Sequence, residues 1–175
     1  MLTLDPTTPW TLSHRFDPQA AEIADRHYSR RAVGSPQFVP PGRCLVLVAE
    51  QSYWVTSWPF AEYTRHEWAG AWVCSAFRRE GGTMRASDMI RHAVAHTLHR
   101  WPEPPDLGMI TFVDAAKVRR KRDAGRCFRK AGFQPCGHTK GGLVALQLLP
   151  ADMPDPSPPI GATFDLFEET PERVP

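Results

Sequence analysis

Val73-Cys74-Ser75-Ala76-Phe77-Arg78-Arg79-Glu80-Gly81-Gly82-Thr83-Met84-Arg85, followed by the periodic apolar run to Leu98, decides the fold. Ala71, Val73 and Ser75 alternate with Trp72, Cys74 and Ala76, the period of two that a strand requires, and we place that strand at Trp68–Phe77. Glu80-Gly81-Gly82-Thr83 breaks it. Ile90, Val94, Leu98 and Trp101 then recur about every 3.6 residues, which predicts a helix from Arg85 to Arg100. His92, His96 and His99 fall opposite this stripe and read as a polar, solvated face. A strand, a glycine loop and a helix in this order bring unpaired N–H groups and a positive helix end to one point, a natural seat for phosphate.

Working outward toward the N-terminus, Trp10–Leu12 reads as a short edge strand. Asp17-Pro18 starts a helix that runs to about Tyr28, with Asp as cap and Pro in the first turn. Leu45–Ala49 and Tyr53–Trp58 are two strands joined at Glu50-Gln51-Ser52. Toward the C-terminus, Met109–Val113 is an apolar strand. Cys127–Ala131 is a short helix closed by Gly132. Phe133–Cys136 and Leu143–Leu149 are strands joined at Lys140-Gly141-Gly142. The expected class is α/β, with a mixed, mostly antiparallel central sheet and helices on both faces.

The 175 residues are 42% hydrophobic, which suits one domain over residues 1–150. Residues 151–175 read as a Pro-rich acidic tail, mobile, with an apolar patch at Phe164, Leu166 and Phe167. The chain's net charge is +2; the tail holds six acids against Arg173, a net of −5, so the body carries +7. A basic body favours polyanionic partners. No run is long and apolar enough to cross a bilayer and no signal peptide is visible, so a cytoplasmic location is expected. Cys44, Cys74, Cys127 and Cys136 have irregular spacings and read as reduced, mostly buried thiols.

The element order resembles the GNAT N-acyltransferases, whose glycine loop and following helix hold the pyrophosphate of an acyl-CoA. Arg78, Gly81 and Thr83 fill the family's pattern with a departure at the last place; Arg79, Gly82 and Met84 fill it in the other register, again departing last. Arg126-Cys127-Phe128-Arg129-Lys130-Ala131-Gly132-Phe133 resembles the family's late helix. A narrower resemblance, over about residues 20–149, is to the phage-encoded Mom-type DNA-modification proteins. It rests on His27-Tyr28-Ser29, Phe112-Val113-Asp114 and Gly125 through Phe133. The resemblance implies acetyl-CoA or another acyl-CoA as donor, with Arg78, Arg79, Gly81, Gly82, Thr83 and Arg85 around it. It also implies transfer to the exocyclic amine of adenine in DNA.

Acyl transfer to an amine needs a proton acceptor for the amine, donors for the developing oxyanion and a proton for the leaving thiolate. Asp114, just past an apolar strand, reads equally as that acceptor or as a cap of the next turn. Tyr28 reads as a donor or as a packed aromatic. His27 reads as a base or as a helix-end charge, and Ser29 as a donor or a cap. The histidine set at 92, 96 and 99 lacks a carboxylate at metal-ligand spacing, so no metal is expected. Lys117, Arg119, Arg120, Lys121, Arg122, Arg126, Arg129 and Lys130 form a basic patch suited to phosphates, which Arg30, Arg31 and Lys140 extend. Trp58 and Tyr63 are the aromatics expected at the surface for base stacking. Acylation of a small molecule, a protein or RNA, and an inactive GNAT-like nucleic-acid-binding module, are the alternative functions; a monomer and a homodimer both fit.

Overall fold

Seven strands and three α-helices are present in a computed structural model that describes residues 7–27, 30, 32–117 and 123–162. They run β1 (Thr11–Leu12), α1 (Pro18–Asp25), β2 (Arg43–Ala49), β3 (Ser52–Trp58), β4 (Trp72–Arg79), α2 (Ala86–Arg100), β5 (Met109–Val113), α3 (Arg126–Lys130), β6 (Gln134–His138) and β7 (Val144–Leu148). The sheet order is β1-β2-β3-β4-β5-β7-β6. Every neighbouring pair is antiparallel except β4 and β5, which are parallel. The chain is thus α/β with an open, mostly antiparallel sheet.

Alternation along β2 and β3 sorts side chains onto two faces. Leu45, Leu47 and Trp54 pack with Met89, Ile90, Val94 and Leu98 of α2 and Phe128 of α3. Val46, Tyr53 and Val55 pack instead with Ala20, Ile23 and Ala24 of α1. Helices therefore cover both faces. On the α1 face, over β5 and β7, the loop after β3 takes the place of a helix: Trp68 and Ala71 pack on Ile110 and Ala145.

Local chemistry explains the helix ends. Asp17 caps α1 by accepting the Ala20 N–H at 2.9 Å. At the end of α3, Gly132 takes φ +106°. The Phe133 N–H returns to the Phe128 carbonyl and the Gly132 N–H to the Arg129 carbonyl. The Phe128 and Phe133 rings then meet at 5.3 Å, completing a Schellman closure with its apolar contact.

Five sequence expectations change. β4 begins at Trp72, not Trp68, because Gly70 sits at φ +96° and turns the chain ahead of it. α1 ends at Asp25. The histidine side of α2 is not solvated: His92 and His96 are 3% and 1% exposed, and only His99 reaches solvent. The segment after β7 is not loose up to Ala162. His96 Nδ1 donates to the Ser157 carbonyl at 2.6 Å, and its Nε2 meets Thr8 Oγ1 at 2.6 Å. Ile160 bridges to Thr11. This strap and the N-terminal segment cover His96, on which the His92 ring stacks. Among the four thiols only Cys74 is buried; Cys136 is exposed.

Candidate functional site

The site is a gap in the sheet. β4 and β5 pair only at Trp72–Met109, Val73–Ile110 and Cys74–Thr111, yet β4 continues to Arg79 and β5 to Val113. Beyond Cys74 the strands diverge and enclose a cleft of about 1100 Å³. A bulge in β4 helps to open it. Val55 pairs with Ala76 and Thr56 with Cys74, so Ser75 is the extra residue. The bulge also shifts the alternation. Trp72 and Cys74 face α2, whereas past Ser75 it is Phe77 that does, and Ala76 faces α1.

The register identifies which backbone groups look into the gap. Glu80 N–H donates to the Gln51 carbonyl at 2.9 Å. Antiparallel pairs alternate, so Arg78 bonds toward β3 while Phe77 and Arg79 direct their N–H and C=O toward the gap. His27 follows this geometry: it hydrogen-bonds the Phe77 backbone.

One side of the cleft is cationic. α2 starts at Ala86 with Arg85 as a cap that makes no side-chain bond. The Asp88 and Met89 N–H groups return to the Arg85 carbonyl, which leaves those of Ala86 and Ser87 without a helical partner. Both residues line a hollow of about 360 Å³ beside the main cleft, together with Arg79, Thr83, Arg85, Arg126 and Lys130. Among the described residues no carboxylate forms an ion pair with these four cations. Gly82, at φ +100°, makes the turn that returns the chain to the helix.

The other side carries groups suited to proton transfer. His27, Arg78, Phe112 and Asp114 line it. Burial and the Arg78 guanidinium lower the His27 pKa from 6.5 to about 4, so the ring is neutral at pH 7. Its bond to the Phe77 backbone offsets that shift in part, as a carbonyl acceptor does. Glu80 braces the region. Arg26 grips it through two bonds of 2.7 Å, and Arg78 Nε reaches it at 2.8 Å. These donors hold the Glu80 carboxyl down at about 2. Asp114 accepts the N–H groups of Ala116 and Lys117 at 3.0 and 3.3 Å, so it caps its turn while lining the cleft.

The structure brings Asp114, His27, Arg78, Arg79, Lys117 and Arg126 to one cleft. Gly81, Gly82, Thr83 and Arg85 follow in the loop at its cationic end. Arg126, read from the sequence as a nucleic-acid contact, stands in both hollows with Cys127. Lys130, read from the sequence as part of the same basic patch, lines the smaller hollow with Arg126, four residues before it on one helix face. Arg30 is not free for phosphate. Its side chain is 8% exposed and bonds Asp25 at 2.9 Å, the Gln37 carbonyl at 2.6 Å and the Ser35 carbonyl. It pins the loop after α1. Trp58 is partly buried between Trp72 and Trp101, with its N–H on the Gly70 carbonyl, so it is no open platform. Tyr63, 78% exposed, is at the surface as expected, and Lys140 is exposed on the β6–β7 turn. Tyr28, Ser29, Arg31, Arg119, Arg120, Lys121 and Arg122, and the patch at Phe164, Leu166 and Phe167, lie outside the described residues. Among the described residues no His, Cys, Asp and Glu group is placed to hold a metal, and no helix is long and apolar enough to cross a membrane.

Comparison with protein-family models, with curated proteins and with solved structures gives no match.

Proposed function

We propose that the chain is a GNAT-like transferase that takes an acyl-CoA in the β4–β5 cleft and acylates the exocyclic amine of adenine in DNA. One observation carries the reading. The cleft is lined from both faces of the sheet, with cations and free helix N–H groups on the α2 side and His27 and Asp114 on the other. Two reactants can therefore enter from opposite faces and meet between the strands. A cleft of about 1100 Å³ is large for a small metabolite and suits a donor of cofactor size.

The residues present fit such a donor. Arg79, Arg85, Arg126, Lys130 and the Ala86 and Ser87 N–H groups would hold its phosphates. The Phe77 N–H, aimed into the gap, would orient its amide arm. When bound, an acyl-CoA supplies a thioester-activated acyl group. In the transfer the amine nitrogen would bond to the acyl carbon as the carbon–sulfur bond breaks, and Asp114 would take the amine proton. Adenine's amine is neutral before attack, so a weak base suffices. An inactive binding module calls for a filled cleft, and the described residues leave this one open. The +7 body favours DNA over a neutral small-molecule acceptor.

Mass spectrometry of nucleosides from the DNA of cells that express the protein tests the reading. A new adenine derivative is expected with the native chain and none with Asp114→Asn. Unmodified DNA beside abundant, folded protein and a supply of acyl-CoA would overturn it.

A further inference from the structure

The loop between β3 and β4 carries aromatic groups that the cleft chemistry does not use. Phe60 and Tyr63 sit on a short 3-10 turn at 55% and 78% exposure, with their rings edge to face at 6.4 Å. The Arg43 guanidinium lies 3.9 Å above the Trp58 ring and 5.9 Å from Phe60, and it has no ion pair among the described residues. Rings this open contribute nothing to the core, and two together with a stacked guanidinium make a surface for planar, π-rich ligands.

This surface adjoins the cleft. Tyr63 and His66 are three residues apart, so their Cα atoms lie within about 11 Å. The His66 ring meets Phe112 at 5.1 Å, and Phe112 lines the His27 and Asp114 side of the cleft. The loop that carries the rings thus reaches the cleft lining through His66 and Phe112. A duplex cannot bring an acceptor amine into a gap between two strands, so a base must leave its stack to enter. Its neighbours in the strand then need a surface to rest on.

We infer that Phe60 and Tyr63 stack the bases flanking the one in the cleft, so the acceptor is single-stranded or locally opened polynucleotide. The inference rests on the nucleic-acid reading above. Glu62 and Glu67 outnumber Arg65 among the exposed charges of this loop, which argues against phosphate tracking here. The contact is by ring faces, and the phosphates are held elsewhere on the basic body. A second copy of the chain would also cover two open rings, but each copy carries a net charge of +2, which does not favour self-association.

Binding of labelled oligothymidylate and of a duplex of equal length, without donor, tests this. The native chain should bind the single strand more tightly. Tyr63→Ala and Phe60→Ala should each weaken that binding about tenfold, and Tyr63→Phe should restore it. The slope of affinity against salt should stay unchanged in these variants, because no phosphate contact is lost. Equal affinity of the alanine variants and the native chain, or a changed salt slope, would overturn the inference. Loss of a native dimer in Tyr63→Ala, seen by sedimentation, would assign the rings to self-association instead. Ring-dependent strand binding without any modified base would leave this surface standing and remove only the transferase reading.

Discussion

Replacing His96 with asparagine and moving the protein from pH 7 to pH 5 tests how the strap is held. His96 is buried and joins three distant segments: α2, the Ser157 carbonyl and Thr8. The carbonyl only accepts, so Nδ1 carries the proton and Nε2 takes the Thr8 hydroxyl. Burial, with His92 and His99 nearby, lowers its pKa from 6.5 to about 4. Folding therefore favours the neutral ring, and its contribution is complete above pH 6.5 and fades as pH falls toward 4. Comparing the two protonation equilibria at pH 7 and pH 5 gives a loss of about 2 kcal/mol. His27, with a pKa of about 4, adds a similar loss. Urea unfolding followed by tryptophan fluorescence should therefore show the native chain losing about 4 kcal/mol over this interval and His96→Asn about half of that. The variant should also be less stable at pH 7, by about 1–3 kcal/mol, because Thr8 or Ser157 loses its partner. An equal pH-dependent loss in both proteins would refute the buried, neutral assignment of His96.

Other expectations follow from the same geometry. Asp114→Asn should keep its melting temperature within a few degrees, since Asn also caps turns, while product formation disappears; full turnover in the folded variant would remove Asp114 from the chemistry. Gly132→Ala should cost about 1–2 kcal/mol in thermal unfolding, because φ +106° disfavours any Cβ and Leu148 lies 3.3 Å from where it would sit. Arg126→Ala together with Lys130→Ala should weaken coenzyme A binding by tenfold or more, in isothermal titration, without altering the fold.

The strand–loop–helix unit was legible because its two periods, two and then 3.6, change at Gly81-Gly82. The bulge at Ser75 was not, since alternation read from composition runs straight through it. The histidine side of α2 misled for a different reason. Periodicity marks the apolar stripe but cannot see Thr8 and Ser157, which are 88 and 61 residues away from His96 and satisfy its polar atoms. Proline density likewise suggested a loose tail, yet Pro159 is buried between Ser157, which bonds α2, and Ile160, which bridges to β1. At the site, Asp114 and the glycine loop could be read locally. The link from Arg126 to the same cleft depends on α3 packing beside the start of α2, which no local spacing reveals.

Coenzyme A titrated into the isotopically labelled protein, with backbone amides observed, tests the cleft most directly. The account predicts saturable shifts at Phe77, across Gly81–Ser87 and at Arg126–Cys127, all on one binding curve. Unperturbed amides at these positions with millimolar coenzyme A would contradict it.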